Sequence, residues 1–188
     1  PLEDYEDIYG DMDGSNSIAS ILEYPTDDSG QLTAESQTIS IPNTKIRSSN
    51  GVMAVVGAGN FTQAMIMPSL DDAGAEVKYI VSSGGLSSTT LAKKYSVGNS
   101  TTDFDAVLND SEVDGVLITT RHNLHAGMTV KALDAGKQVF VEKPLAIKED
   151  ELDEVIHAVE ETGNTVTVGF NRRFSPHARK MKKLVGSQ

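Results

Sequence analysis

From residue 52 onward the chain alternates short apolar runs with stretches of helical spacing, and no other feature narrows its fold as much. Runs rich in β-branched residues at 52–56, 77–81, 115–119, 138–142 and 165–170 read as strands. Patterns of 3.6-residue period separate them at 61–72, 87–95, 103–109, 123–135 and 148–161, and one more starts at Pro176. Gly98, Gly136 and Gly163 fall where helices should stop. Strand and helix in strict succession with short connections require right-handed crossovers and parallel strands covered on both faces. The expected fold class is therefore α/β, a Rossmann-type doubly wound parallel sheet in three α/β/α layers. It would occupy residues 51–188, behind an acidic N-terminal extension of residues 1–50.

Charge separates the same two regions. Of a net charge of −11, most comes from residues 1–50, which hold ten acidic and two basic side chains. Such a surface repels a phosphate backbone, so no nucleic-acid partner is expected. The chain has no cysteine, which excludes a disulfide framework, a thiolate nucleophile and a cysteine-based zinc site. Its apolar runs are strand-sized and none has signal-peptide character, so the sequence reads as a cytoplasmic protein with no membrane partner. Within the extension, residues 2–12 pattern as a helix and 17–24 as a strand. Residues 25–50 read as linker, apart from the alternating run Thr38-Ile39-Ser40-Ile41, which suits a sheet edge. The extension has no core of its own and starts without methionine, so the chain reads as a segment with the rest of a parent polypeptide on both sides.

The first strand runs into Gly57-Ala58-Gly59-Asn60-Phe61. Gly57 permits a tight turn, Gly59 lets the backbone approach a pyrophosphate, and the amides opening the next helix attract that charge. Thr62 stands where a third glycine would allow closer packing of helix on strand, and alone the turn is equally a structural one. The other strand ends carry Ser82-Ser83, Thr119-Thr120-Arg121-His122, Glu142-Lys143-Pro144 and Gly169-Phe170-Asn171-Arg172-Arg173, and topology gathers them on the edge where such sheets hold ligands. Lys143 is the sharpest candidate: Pro144 holds its backbone extended at a strand end, where an ammonium can exchange a proton with a hydroxyl or simply pair with Glu142. Thr119, Thr120, His122, Asn123 and His125 can cap a helix or hold a ribose; Arg172 and Arg173 can clamp a phosphate or carboxylate, or lie solvated. His122 and His125 lack a third ligand at a fitting spacing, so no metal is expected, and His157 and His177 read as surface residues. Glu76 has the spacing of a ribose-binding acid but precedes its strand; Ser82 and Ser83 hold the tip, which leaves both NAD and NADP admissible.

Together, Val55-Val56-Gly57-Ala58-Gly59-Asn60-Phe61, Val113-Asp114-Gly115-Val116, His122-Asn123-Leu124-His125-Ala126, Ala135-Gly136-Lys137, Glu142-Lys143-Pro144-Leu145-Ala146 and Gly169-Phe170-Asn171-Arg172-Arg173-Phe174 resemble the nucleotide-binding domain of the glucose-fructose oxidoreductase, inositol dehydrogenase and MocA (Gfo/Idh/MocA) family. The resemblance implies an NAD or NADP cofactor and hydride transfer to or from a hydroxyl-bearing carbon of a sugar-like or polyol substrate. It makes Lys143 the catalytic lysine, positioned by Glu142 and Pro144, and Gly57, Gly59, Asn60 and Phe61 the pyrophosphate cradle. Thr119, His122, Asn123 and His125 would then line the nicotinamide side. It also implies a second α/β substrate domain after residue 188. Residues 2–24 resemble the closing helix and strand of a zinc-type alcohol dehydrogenase module. Two competing readings are a non-catalytic nucleotide-sensing or assembly module of the same fold, and a methyltransferase, for which only the glycine turn speaks.

Overall fold

A computed structural model of the chain describes residues 37–42 and 51–186. The helix and strand expected at 2–12 and 17–24, and the alcohol dehydrogenase resemblance drawn there, lie outside the described residues.

One seven-stranded sheet organises them, with strands β1 (Thr38–Ser40), β2 (Met53–Val56), β3 (Val77–Val81), β4 (Asn99–Thr101), β5 (Gly115–Ile118), β6 (Gln138–Glu142) and β7 (Val166–Gly169). Their order is β1-β4-β3-β2-β5-β6-β7, with every neighbour parallel except β1, which runs antiparallel to β4. The helices are α1 (Met67–Asp72), α2 (Leu86–Tyr95), α3 (Phe104–Leu108), α4 (His125–Asp134), α5 (Glu149–Thr162) and α6 (Pro176–Val185). Alternate residues of β2 serve opposite faces. Ala54 and Val56 pack with Ala132 and Leu133 of α4 and Ala158 of α5, while Val55 packs with Met67 of α1 and with Leu91 and Ala92 of α2. Both faces of the central strands are thus buried, which is why they read as unbroken apolar runs.

The sequence reading misses β4, because Asn99-Ser100-Thr101 has no apolar signal. Hydroxyls hold it instead. Ser100 hydrogen-bonds Ser88 and Thr89 of α2, and Thr101 accepts from Thr38 across the β1–β4 pair. The expected edge run at Thr38 is β1. The helix expected over 61–72 is helical in two pieces, a π-helical turn at Thr62–Ile66 and then α1. Gly136 and Gly163 end α4 and α5 at positive φ, whereas α2 stops two residues before Gly98, at Ser96, itself left-handed with φ 54°.

At the sheet edge where strands begin, charged groups lock the register. Lys78, near the start of β3, is buried and bonds both Asp110 and Glu112, and the Tyr79 hydroxyl donates to Asp110 at 2.8 Å. Burial alone would push the Asp110 carboxyl up, but hydrogen bonds from Lys78, the Glu112 N–H and Tyr79 outweigh it and leave the group below the ordinary 3.8. Burial likewise pulls Lys78 down, and its two carboxylate partners more than reverse that, raising it above 10.5. Buried Lys137 donates to the carbonyls of Asp110 and Val113 at 2.7 and 2.8 Å. Glu76 lies at this edge, as its position before β3 requires, with its carbonyl accepting from Met53.

Candidate active site

β2 lies between β3 and β5: the chain winds outward from β2 through β3 to β4, then crosses back to β5 on the other side, and this reversal opens a crevice at the C-terminal strand ends, the place where a doubly wound sheet admits a ligand. The glycine turn sits there, wired to both neighbours. Gly57 N–H donates to Val81 O at the end of β3, and Thr119 N–H at the end of β5 donates to Val56 O. The two glycines do different work. Gly57 has φ +110°, and a Cβ on it would lie 2.8 Å from the Thr119 backbone carbon, carbonyl oxygen and hydroxyl. Gly59 is exposed, and a Cβ there would meet nothing within 4 Å. Gly57 is thus glycine because the fold leaves no room, while the space at Gly59 is open toward an incoming group.

Thr62 explains how the turn works without a third glycine. It is fully buried, and its hydroxyl lies 2.7 Å from that of Thr119. The Thr119 hydroxyl already donates to the carbonyls of Val56 and Gly57, so the Thr62 hydroxyl is the donor between the two threonines. A methyl-bearing side chain thereby enters the strand–helix contact with its polar atom satisfied, and the helix opens with the wider π turn there. Ala58 packs its methyl into the core, so only its backbone faces outward, and Asn60 is exposed beside Gly59.

A crevice of about 680 Å³ continues from the turn across β5, β6 and β7. It brings together Phe61, Thr119, Thr120, His122 and His125 from the near side with Glu142, Lys143, Asn171 and Arg172 from the far side. Gly169, Phe170 and Arg173 complete its wall. Gly57, Ala58, Gly59, Asn60, Ser82 and Ser83 do not line it; they hold the adjoining tips of β2 and β3. Ser82 turns its hydroxyl inward to Ser88, 2.9 Å away, and Ser83 is exposed. No carboxylate follows β3 before α2.

On the far side the groups fix one another. The Glu142 carboxylate is buried against Gly169, where a Cβ would stand 2.8 Å from Oε1, and it accepts from Asn171 Nδ2 at 2.8 Å. That bond ties the 3₁₀ turn Asn171–Phe174 to the end of β6. Lys143 follows, exposed, with a cis peptide bond to Pro144. His125 is fully buried, with Nδ1 2.7 Å from Pro144 O and Nε2 3.1 Å from Thr120 O. A neutral imidazole carries a single N–H, so it can donate to only one of the two carbonyls, and the shorter contact places that bond at Pro144, where it braces the Lys143–Pro144 loop against the start of α4. His122, exposed at the rim, meets the His125 ring edge-on at 5.7 Å between centroids. Sequence spacing alone could not reveal this bracing, because it joins a helix start to a loop nineteen residues away.

A parallel sheet that opens on a glycine turn at its switch point, with an ammonium two strands along, defines a dinucleotide-binding Rossmann domain of an oxidoreductase type. The chain belongs to the Gfo/Idh/MocA oxidoreductase family, whose NAD-binding Rossmann fold matches residues 52–170. It is 31% identical over 134 residues to an uncharacterised oxidoreductase, YrbE, of Bacillus subtilis strain 168, covering 71% of this chain and 39% of that protein. Over 79 residues it is 42% identical to scyllo-inositol 2-dehydrogenase (NAD(+)) of the same organism, covering 42% of this chain and 23% of that one. Among solved structures, a putative myo-inositol dehydrogenase from Sinorhizobium meliloti 1021 superposes with a TM-score of 0.65 at 25% identity, covering 72% of this chain and 40% of the other. The chain thus spans about 40% of the length of the first relatives it matches. Among the described residues no helix is long and apolar enough to cross a membrane.

Proposed function

We propose that residues 51–188 are the NAD(P)-binding domain of a cytoplasmic oxidoreductase that moves hydride between a nicotinamide ring and a hydroxyl-bearing carbon of a sugar-like or polyol substrate. One observation carries the reading: Lys143 and Phe61, the residue that closes the glycine turn, open on the same crevice. The cradle fits the cofactor, since Gly59 leaves its backbone clear of any side chain and Asn60 and Phe61 stand exposed beside it. When bound, the nicotinamide supplies the hydride acceptor or donor. The chain's own residues do the rest. The turn amides would hold the pyrophosphate, Thr119 and Thr120 would border the nicotinamide side, and Lys143 would exchange a proton with the substrate hydroxyl at its Nζ.

The exposed apolar rim supports a parent polypeptide that continues over this face, because Phe170, Phe174, Met181, Leu184 and Val185 are each more than half exposed around the crevice and along α6. In this reading residues 1–50 are the join to a preceding module of alcohol dehydrogenase type. Calorimetric titration of the chain with NADH and NADPH tests the proposal. Saturable binding of either is expected, and no heat from either at millimolar concentration would sink it.

A further inference from the structure

Resting on the oxidoreductase reading, we propose that residues 37–42 form a strap at the β1 edge of the sheet, and that its docking on β4 strengthens binding of the cofactor's adenosine half.

The strap is attached mainly by polar atoms. β1 pairs antiparallel with β4, Thr38 opposite Thr101, Ile39 opposite Ser100 and Ser40 opposite Asn99. Beyond the two ends of that ladder, Thr102 N–H donates to Gln37 O at 3.0 Å and Ile41 N–H to Gly98 O at 2.8 Å. The Ser40 hydroxyl donates to Asn99 Oδ1 at 3.1 Å. Apolar burial adds less: Ile39 is 50% exposed, and Ile41 is partly buried against the cluster that contains Leu91 and Val97. Main-chain bonds with little side-chain burial are the means by which an extended segment adds to a sheet edge. A segment held in that way opens more easily than the core strands do.

Its hold reaches the β3 tip through Thr101 and Thr102. Thr101 is buried, and its hydroxyl donates to Gln37 O at 3.0 Å while accepting from the Thr38 hydroxyl at 2.8 Å and from Asp103 N–H at 3.0 Å. The carbonyl of the same residue accepts from the N–H of Ser82, the first residue after β3, at 3.1 Å. Thr102, held by Gln37, sets its methyl beside the loop, 3.4 Å from where a Cβ on Gly85 would stand. In this loop Ser83, Gly84 and Leu86 are exposed, so hydrogen bonds rather than burial fix its shape. Both bonds of Ser82 lead to β4: its N–H meets Thr101, and its hydroxyl meets Ser88, which Ser100 bonds at 2.9 Å. A doubly wound sheet places the adenosine end of a dinucleotide at this tip. Docked β1 and bound adenosine therefore order the same loop, so each lowers the ordering cost left for the other, and the coupling is reciprocal. The strap touches neither cofactor nor substrate in this account; it positions the loop that does.

The test uses the 188-residue chain and two variants that loosen the strap to different degrees. Thr38→Val removes the hydroxyl donor to Thr101, and Ile41→Pro removes the N–H that meets Gly98. Each is titrated by calorimetry with NADH and with ADP-ribose, the cofactor without its nicotinamide, well below its melting temperature. Ile41→Pro should weaken both ligands by about fivefold, the low end of allosteric coupling, and Thr38→Val by less. By reciprocity, ADP-ribose should slow hydrogen exchange of the Ile41 and Thr102 amides of the parent by a similar factor. A merely structural role would lower Tm and move neither readout. Variants that bind both ligands as tightly as the parent, a loss confined to NADH, or exchange at Ile41 and Thr102 that ADP-ribose leaves unchanged would each overturn the strap. In those cases NADH still binds the parent and the oxidoreductase reading stands, whereas a parent that binds neither ligand ends both.

Discussion

Replacing each glycine of the turn by alanine should separate fold from ligand binding. In Gly57→Ala the new methyl would lie 2.8 Å from three atoms of Thr119, two of them backbone, at a φ of +110° that L side chains rarely adopt. Thr119 cannot retreat, because its N–H and hydroxyl bond Val56 and its hydroxyl also bonds Gly57 and Thr62. Backbone strain of about 1–3 kcal/mol and overpacking of similar size put the total near 3 kcal/mol. In a domain of this size that lowers Tm by roughly 6–12 °C. Gly59→Ala meets no atom within 4 Å and needs no unusual φ, so its Tm should stay within about 2 °C of the parent's. The added methyl would instead stand where the pyrophosphate comes closest, weakening NADH by about tenfold or more. Thermal melting and calorimetry on both variants decide the matter. A Gly57→Ala protein that melts normally would refute the steric account of the turn. A Gly59→Ala protein that binds NADH unchanged would refute the assignment of that open space to the cofactor.

Three further outcomes are expected. His125→Phe keeps an aromatic ring but removes the hydrogen bond to the Pro144 carbonyl, so it should cost about 1–2 kcal/mol and lower Tm by roughly 2–8 °C; an unchanged melt would remove the brace. Asp110→Asn should destabilise the chain by an amount that depends on pH. The Asp110 carboxyl titrates lower when folded, so its stabilisation is complete above the ordinary 3.8 and fades as pH falls through the folded value. Lys78 titrates higher when folded, so its share persists up to 10.5 and fades above. The Tm gap between parent and variant should therefore be flat from about pH 5 to 9 and close in acid, and a gap that stays constant down to pH 2 would contradict the ion-pair assignment. Ser83→Asp places a carboxylate at the empty β3 tip, where repulsion of a 2′-phosphate should weaken NADPH by about tenfold and leave NADH within about threefold; equal losses for both would show that the tip does not face the adenosine ribose.

The parts of this fold that were legible in the sequence are those held by apolar burial. β2, β3, β5 and β6 are largely apolar runs because both faces are covered, β7 at the sheet edge alternates Val166 and Val168 with exposed Thr167, and the residues at the strand ends could be assigned to one edge from chain order alone. The parts that were not legible are held by polar atoms. β4 rests on Ser100 and Thr101 hydroxyls, the π turn on a threonine pair, and the far wall of the crevice on a glutamate that bonds Asn171. A hydroxyl or carboxylate has the same hydropathy whether it is solvated or paired with a residue sixty positions away, so pattern cannot separate the two cases. His125 shows the consequence. The family resemblance grouped it with His122 on the nicotinamide side; in the structure His125 is fully buried with Nδ1 2.7 Å from the Pro144 carbonyl, while His122 stands exposed at the rim.

That difference changes how the crevice should be understood. The groups that hold its shape, Thr119, His125, Glu142 and Asn171, spend their hydrogen bonds on the protein, while Lys143, Arg172 and His122 stand exposed above them. Chemistry at such a site depends on placing an ammonium within hydrogen-bond reach of a hydroxyl, and a long flexible lysine side chain cannot ensure that by itself. The backbone beneath it can. Lys143 is preceded by Glu142, anchored to β7 through Asn171, and followed by Pro144, whose carbonyl is anchored to α4 through His125. Both flanks of the lysine are thus fixed to different elements of the sheet framework. The chain therefore carries a fixed backbone base for Lys143 within its own residues.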